Sequence, residues 1–157
     1  MFKILNSLKN NSQKYSFHIK ILTNNLPTMQ NLNIRYLYLY TTSNCTQCLN
    51  TENTIHILLC KKNNPNIYQS LINIINNSLT SLKITTITAS TLLNILLHST
   101  PNSPNSQYDY ILFAISGTFT LTTITNIKAL VQKQTEPLLI NLSNNLLNWF
   151  YQDIWSL

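Results

Sequence analysis

Glycine and carboxylates are scarce in this sequence. Its 157 residues include one glycine, Gly117, and four acidic residues. A loop that cradles phosphate needs several glycines so that the backbone can approach the ligand closely. The P-loop and dinucleotide-binding classes are therefore excluded. The four carboxylates are also too few and too scattered for a catalytic cluster, so we expect no enzymatic activity.

Long hydrophobic runs are absent as well. The longest apolar stretches, such as residues 110–115, are far shorter than the roughly 18 residues of a membrane-spanning helix. The first residues lack the apolar block of a secretory signal. We therefore expect no membrane association and an intracellular location, in the cytosol or the nucleus, rather than secretion.

The positive charge is concentrated in one part of the chain. Residues 1–62 contain seven basic residues against Glu52 alone, which accounts for the whole net charge of +6, whereas residues 63–157 are neutral. This asymmetry favours an anionic partner, DNA or RNA before a membrane. A solvated surface of scattered lysines is the simpler interpretation. The expected phosphate contacts are Lys14, Lys20, Arg35, Lys61 and Lys62.

The three cysteines are few but clustered. They form, with one histidine, the pattern Cys45-x2-Cys48-x7-His56-x3-Cys60. A C-x2-C turn can direct two sulfurs at one ion, and residues four apart on a helix share a face. Three cysteines and one histidine complete a tetrahedral shell with no position left for a catalytic water. The pattern predicts one structural Zn²⁺ bound by these four residues.

Three other interpretations of the cysteines are weaker. A disulfide would leave one odd thiol and no role for the histidine, and no secretory signal indicates an oxidising compartment. A catalytic Cys–His pair lacks an orienting third group. Three free cysteines in a metal-free remnant would make the clustering a coincidence.

The residues around the cysteines predict a metal-nucleated turn followed by a helix. Thr51 and Asn53 are candidate N-caps, and Glu52 places negative charge near the helix start. The helix is expected over 54–62, with Lys61 and Lys62 complementing its dipole at the end.

The rest of the chain predicts a mainly α fold, with a small zinc-stabilised turn-helix module (residues 1–64, including an N-terminal helix) and a helical region (65–157). A truncated end is one interpretation of the second region. His18 and His98 are expected to be caps or surface residues. The helices are predicted at 65–79, 90–98, 108–116, 124–134 and from Pro137 onward, with a loop before residue 124.

Tyr36 and Tyr38 lie beside Arg35 in an alternating pattern that continues to Tyr40. They are the best candidates for stacking against nucleobases. The alternative is an extended segment that packs against the zinc module.

Residues 15–62, about 30% of the chain, resemble the zinc-binding region downstream of the reverse transcriptase in non-LTR retrotransposons. The resemblance rests on a helix reaching Leu26-Pro27-Thr28, a basic aromatic stretch, C-x2-C, an acidic residue and a leucine-rich H-x3-C. It implies that the four cysteine and histidine residues are metal ligands. Glycine often follows the second cysteine in that family, where this chain has Leu49-Asn50, and Asn50 tolerates the left-handed backbone that the turn would need.

The carboxylate motifs of the polymerase, the RNase H and the nuclease of those elements do not occur here. The resemblance therefore implies a detached, non-catalytic piece of a polyprotein that associates with nucleic acid. A protein-interaction or structural module, which would use the C-terminal helices to bind a protein partner, is the second hypothesis. A non-functional retroelement remnant is the third.

Overall fold

The computed structural model describes residues 12–62, 65–97 and 109–155. Within these ranges the chain is mainly helical, which confirms the predicted fold class. The elements, in chain order, are α1 (Ser12–Leu22), α2 (Met29–Arg35), α3 (Thr54–Leu59), α4 (Ile67–Ser81), α5 (Ala89–Leu97), α6 (Asp109–Ser116), α7 (Leu121–Val131), a 3₁₀ turn (Gln132–Gln134), α8 (Thr135–Trp149) and a π-helical segment (Phe150–Trp155).

Helix α8 forms the centre of the helical region. It packs against α4, α6 and α7, while α5 packs against α4, α6 and α7 in turn. Leu138, Leu142 and Leu146 recur every four residues along α8 and are fully buried. Residues at this spacing share one face of a helix, so burial of that face determines how α8 packs.

The N-terminal elements join the same core. Helix α1 packs against α6, and α3 packs against the π-helical segment. The Phe17 ring lies 5.7 Å from the ring of Phe150 and 5.0 Å from that of Tyr151, measured between centroids. One hydrophobic cluster thus contains buried residues from both sides of the predicted boundary at residue 64. The boundary itself stays a prediction.

His18 is buried, so the prediction of a cap or surface position is wrong for this residue. Its Nε2 donates to the carbonyl oxygen of Ser116 at 2.8 Å, which ties α1 to the end of α6. Burial lowers the pKa of His18 more than this hydrogen bond raises it, so the neutral imidazole is favoured. Its Nδ1 has no hydrogen-bond partner in the described part of the chain. His98 lies outside the described residues.

Two helix ends and one whole helix differ from the sequence predictions. Helix α7 starts at residue 121 instead of 124, since the Thr120 side chain accepts from the Thr123 amide. Helix α3 ends at Leu59 instead of residue 62, because Cys60 has left the helical conformation. Helix α2 was not predicted at all.

None of the helices in the described ranges has the length and apolar character needed to span a membrane.

Candidate metal centre

A short hairpin brings the first two cysteines together. Asn44 and Thr51 form an antiparallel bridge, and the Cys45 amide donates to the Asn50 carbonyl at 2.7 Å. The Leu49 amide closes the turn by donating to the Cys45 carbonyl at 2.9 Å. The hairpin therefore directs Cys45 and Cys48 to the same side.

Helix α3 and its C-cap residue supply the other two side chains, His56 and Cys60. Asn53 is its N-cap and accepts from the His56 amide at 2.7 Å, so the second of the two predicted caps is the one used. The Cys60 amide donates to the His56 carbonyl at 2.7 Å at the other end of the helix. One helical turn thus fixes the separation of His56 and Cys60.

The four predicted ligands converge. The sulfurs of Cys45, Cys48 and Cys60 and a ring nitrogen of His56 all lie within 4.8 Å of one another, a group that could hold a metal ion. Cys48 Sγ and His56 Nε2 lie 3.2 Å apart. All three cysteines are free, so the structure contains no disulfide between them.

Burial differs among the four side chains and affects the protonation of Cys45. Cys45 and Cys60 are 1% and 2% exposed, while Cys48 and His56 are half-buried. Burial raises the pKa of the Cys45 thiol, and the Gln47 amide, 3.4 Å from its sulfur, acts in the opposite direction. Without a cation this thiol stays neutral, so a metal ion must displace its proton on binding.

The left-handed residue of the turn is Leu49, not Asn50. Leu49 has φ 65°, and its side chain is 75% exposed. The sequence prediction placed the unusual backbone on the residue type that tolerates it better. The hairpin geometry that orients the cysteines imposes the left-handed conformation one position earlier, where a leucine pays roughly 1–2 kcal/mol.

Leu49→Gly should therefore stabilise the metal-loaded chain by about 0.5–1 kcal/mol, because glycine removes the steric cost of the left-handed backbone. Asn50→Gly is the matched control. It should stabilise nothing, since Asn50 has no positive φ to relieve and glycine only loosens the unfolded chain. Urea unfolding midpoints measure both. Stabilisation by Asn50→Gly and not by Leu49→Gly would contradict the assignment of the strained backbone to Leu49.

Glu52 connects the metal centre to α2. Its carboxylate accepts from the Met29 amide at 2.9 Å, and its carbonyl accepts from the Gln30 amide at 3.0 Å. The sequence placed its charge at the start of α3, whereas it sits at the start of α2, where a carboxylate also complements the helix dipole. Thr28 completes this N-terminus by accepting from the Asn31 amide.

An exposed segment (residues 34–39, hereafter the apolar turn) comprises the last two residues of α2 and the turn that follows them. The amides of Leu39 and Tyr40 both donate to the Tyr36 carbonyl, so the backbone is folded and not extended. The predicted extended segment packing against the zinc module is therefore wrong. Tyr38 is 78% exposed and Tyr36 is 45% exposed.

The five predicted phosphate contacts fall in two groups. Lys14 is half-buried, and its ammonium donates to the Asn148 side chain at 2.8 Å, which supports the packing of α1 against the C-terminal helix. The other four are exposed: Lys20, Arg35, Lys61 and Lys62. Within the described ranges no carboxylate forms an ion pair with any of these four.

Comparisons with known families and proteins found no match for this chain. No family model matches it, and neither the curated proteins nor the solved structures contain a significant match. Function must therefore be inferred from the residues and their geometry.

Proposed function

We propose that this chain is a non-catalytic zinc-binding module, derived from the reverse transcriptase polyprotein of a non-LTR retrotransposon, that associates with nucleic acid. The observation that carries the proposal is the convergence of three thiols and one imidazole, contributed by a hairpin and a helix, within 4.8 Å. The resemblance in residues 15–62 supplies the proposed origin.

The donor set supports zinc as the metal. Soft thiolates with an imidazole favour zinc over magnesium or calcium, which prefer oxygen ligands. With Zn–S near 2.3 Å and Zn–N near 2.0–2.1 Å, tetrahedral ligand atoms stand roughly 3.5–3.8 Å apart. The separations here, 3.2 Å for one pair and at most 4.8 Å for any, bracket that range. Movements of about 1 Å or less would close the shell.

A structural role follows from the ligand count. Four protein donors leave zinc no open position at which a water could be activated. Glu52, the nearest carboxylate in sequence, is occupied by the α2 amide. The metal would therefore fix the hairpin to α3 and supply no chemistry to a substrate.

Nucleic acid is the partner that the charge favours. Lys20, Arg35, Lys61 and Lys62 are exposed and belong to the segment that carries the whole net charge. Three thiolates and one Zn²⁺ would leave that segment at about +5, since each thiolate contributes −1 and the ion +2. Phosphate contacts from such residues release counterions and make affinity depend on salt.

Four phosphate contacts predict that binding of the zinc-loaded chain to a single strand weakens with salt, with a log–log slope of about −3. Fluorescence anisotropy at a series of salt concentrations from about 50 to 300 mM measures this slope. Combined replacement of Lys61 and Lys62 by glutamine should reduce the slope by about half, whereas Lys133→Gln, an exposed lysine outside the basic segment, should not change it. No binding at low salt, together with self-association in sedimentation, would favour the protein-interaction alternative.

A further inference from the structure

Exposed large hydrophobic side chains are clustered more densely in the apolar turn than elsewhere in the described part of the chain. Five large hydrophobic side chains lie within six consecutive residues there and are between 45% and 78% exposed. They are Ile34, Tyr36, Leu37, Tyr38 and Leu39. Contiguous exposed apolar groups of this size mark a binding surface, because single exposed residues are common and clusters are not.

The turn is held in place before any partner arrives. The Tyr36 amide donates to the Leu32 carbonyl, which continues the hydrogen-bond pattern of α2. The Asn33 side chain donates to the Tyr40 carbonyl at 2.6 Å. Its other end is anchored through α2, whose first amides are held by Glu52 beside the metal centre. A preformed turn loses little conformational freedom when it binds, so more of the contact energy appears as affinity.

The charge around the turn selects an anionic occupant. No carboxylate occurs in residues 1–51, and Arg35 lies within the turn itself. The Arg35 guanidinium donates to the Asn25 side chain, and the Asn25 amide donates to the Lys20 carbonyl, which places the end of α1 next to the turn. A second copy of the chain would bring the same positive segment and be repelled.

We infer that the apolar turn binds single-stranded nucleic acid, with Tyr38 and Tyr36 stacking on unpaired bases and Arg35 contacting phosphate. This inference rests on the proposed association with nucleic acid and names its class. A duplex buries its base faces in the stack and presents phosphates and groove edges, so it offers no base face on which the tyrosines could stack. A single strand exposes base faces, on which aromatic side chains stack whatever the sequence.

The test uses the zinc-loaded full chain and a fluorescein-labelled 20-nucleotide oligothymidylate, with a duplex of equal length and label as the comparison. The wild type should bind the single strand at least about tenfold more tightly than the duplex at fixed low salt. Tyr38→Ala should weaken single-strand binding roughly 5- to 100-fold and leave duplex binding nearly unchanged. Tyr38→Phe should retain the affinity because it keeps the ring.

Tyr68→Ala is the matched control, since Tyr68 is 53% exposed on α4, away from the turn in sequence. It should bind like the wild type, and equal zinc content in all variants verifies that the module is folded. If Tyr38→Ala leaves the single-strand preference intact, or if the wild type binds duplex equally well, the inference is overturned while salt-dependent association still stands. A third outcome would also overturn the inference. In it the wild type shows no single-strand preference, but it binds anionic phospholipid vesicles or dimerises, and Tyr38→Ala abolishes that interaction.

Discussion

His56→Ala should purify without stoichiometric zinc and with residues 43–62 unfolded. Three thiolates remain in this variant, but the shell loses its fourth donor, the imidazole that α3 contributes. Zinc binding in small structural sites contributes roughly 10–16 kcal/mol of apparent free energy to folding, because no preformed site exists in the unfolded chain. That is as large as the roughly 5–15 kcal/mol by which whole domains are stable, so losing most of it leaves the module without a folded state.

The damage should extend beyond the ligands. Helix α3 packs against the π-helical segment, and Glu52, which connects the hairpin to α3, holds the first amides of α2. Loss of the metal should therefore increase hydrogen exchange at the Met29 and Gln30 amides, which have their acceptors on Glu52.

Elemental analysis of the purified chain, together with hydrogen exchange, measures both effects. Gln47→Ala is the matched control because Gln47 lies between the two hairpin cysteines and acts on Cys45 through its backbone amide, which alanine retains. It should keep one zinc per chain. A His56→Ala chain that still held one tightly bound zinc would show that the imidazole is not a ligand.

Phe17→Ala should destabilise the chain by about 3–5 kcal/mol, the usual cost of truncating a buried phenylalanine. Phe17 is 4% exposed, and its ring contacts those of Phe150, Tyr151 and Trp155. Such aromatic contacts add to the loss of buried area. The substitution opens a cavity where α1 meets the C-terminal end of the chain.

Urea unfolding of the zinc-loaded chain, followed by circular dichroism, gives the free energy of unfolding. Tyr15→Ala serves as the control on the same helix, since Tyr15 is 39% exposed and should cost far less than the buried ring. A Phe17→Ala cost below about 1 kcal/mol would mean that α1 does not share the core with the C-terminal elements.

The convergence of the four candidate ligands could be predicted from sequence because its determinants are local. Cys45 and Cys48 are joined by one hairpin turn, and His56 and Cys60 by one helical turn, so spacing alone constrains their geometry. The α-helices described in residues 65–97 and 109–155 were predictable in approximate place for the same reason. The local periodicity of Leu138, Leu142 and Leu146 is enough to identify a buried helical face.

The features that the sequence did not predict depend on contacts between distant residues. Glu52 and Met29 are 23 positions apart, and His18 and Ser116 are 98 apart. Nothing adjacent to His18 indicates that a carbonyl will meet its ring, so burial was not foreseeable. The left-handed residue of the turn was predicted at Asn50 because asparagine tolerates that backbone conformation. The hairpin geometry instead imposes it one residue earlier, at Leu49.

The aliphatic members of the apolar turn were overlooked for a different reason. The alternation of tyrosines singled out Tyr36 and Tyr38 for stacking, with an extended segment that packs against the zinc module as the alternative. The turn after α2 instead exposes both faces, so Leu37 and Leu39 are each 65% exposed. The available signal was a run of apolar residues at every position from Tyr36 to Tyr40, with no polar face to accompany a buried one.

X-ray absorption at the zinc edge of the purified chain tests the metal centre most directly. We expect one zinc per chain with three sulfur neighbours near 2.3 Å and one nitrogen near 2.0–2.1 Å, roughly the distances of structural Cys₃His sites. A shell dominated by oxygen or nitrogen, or one with fewer than three sulfurs, would contradict the assignment of Cys45, Cys48, His56 and Cys60 as the ligands.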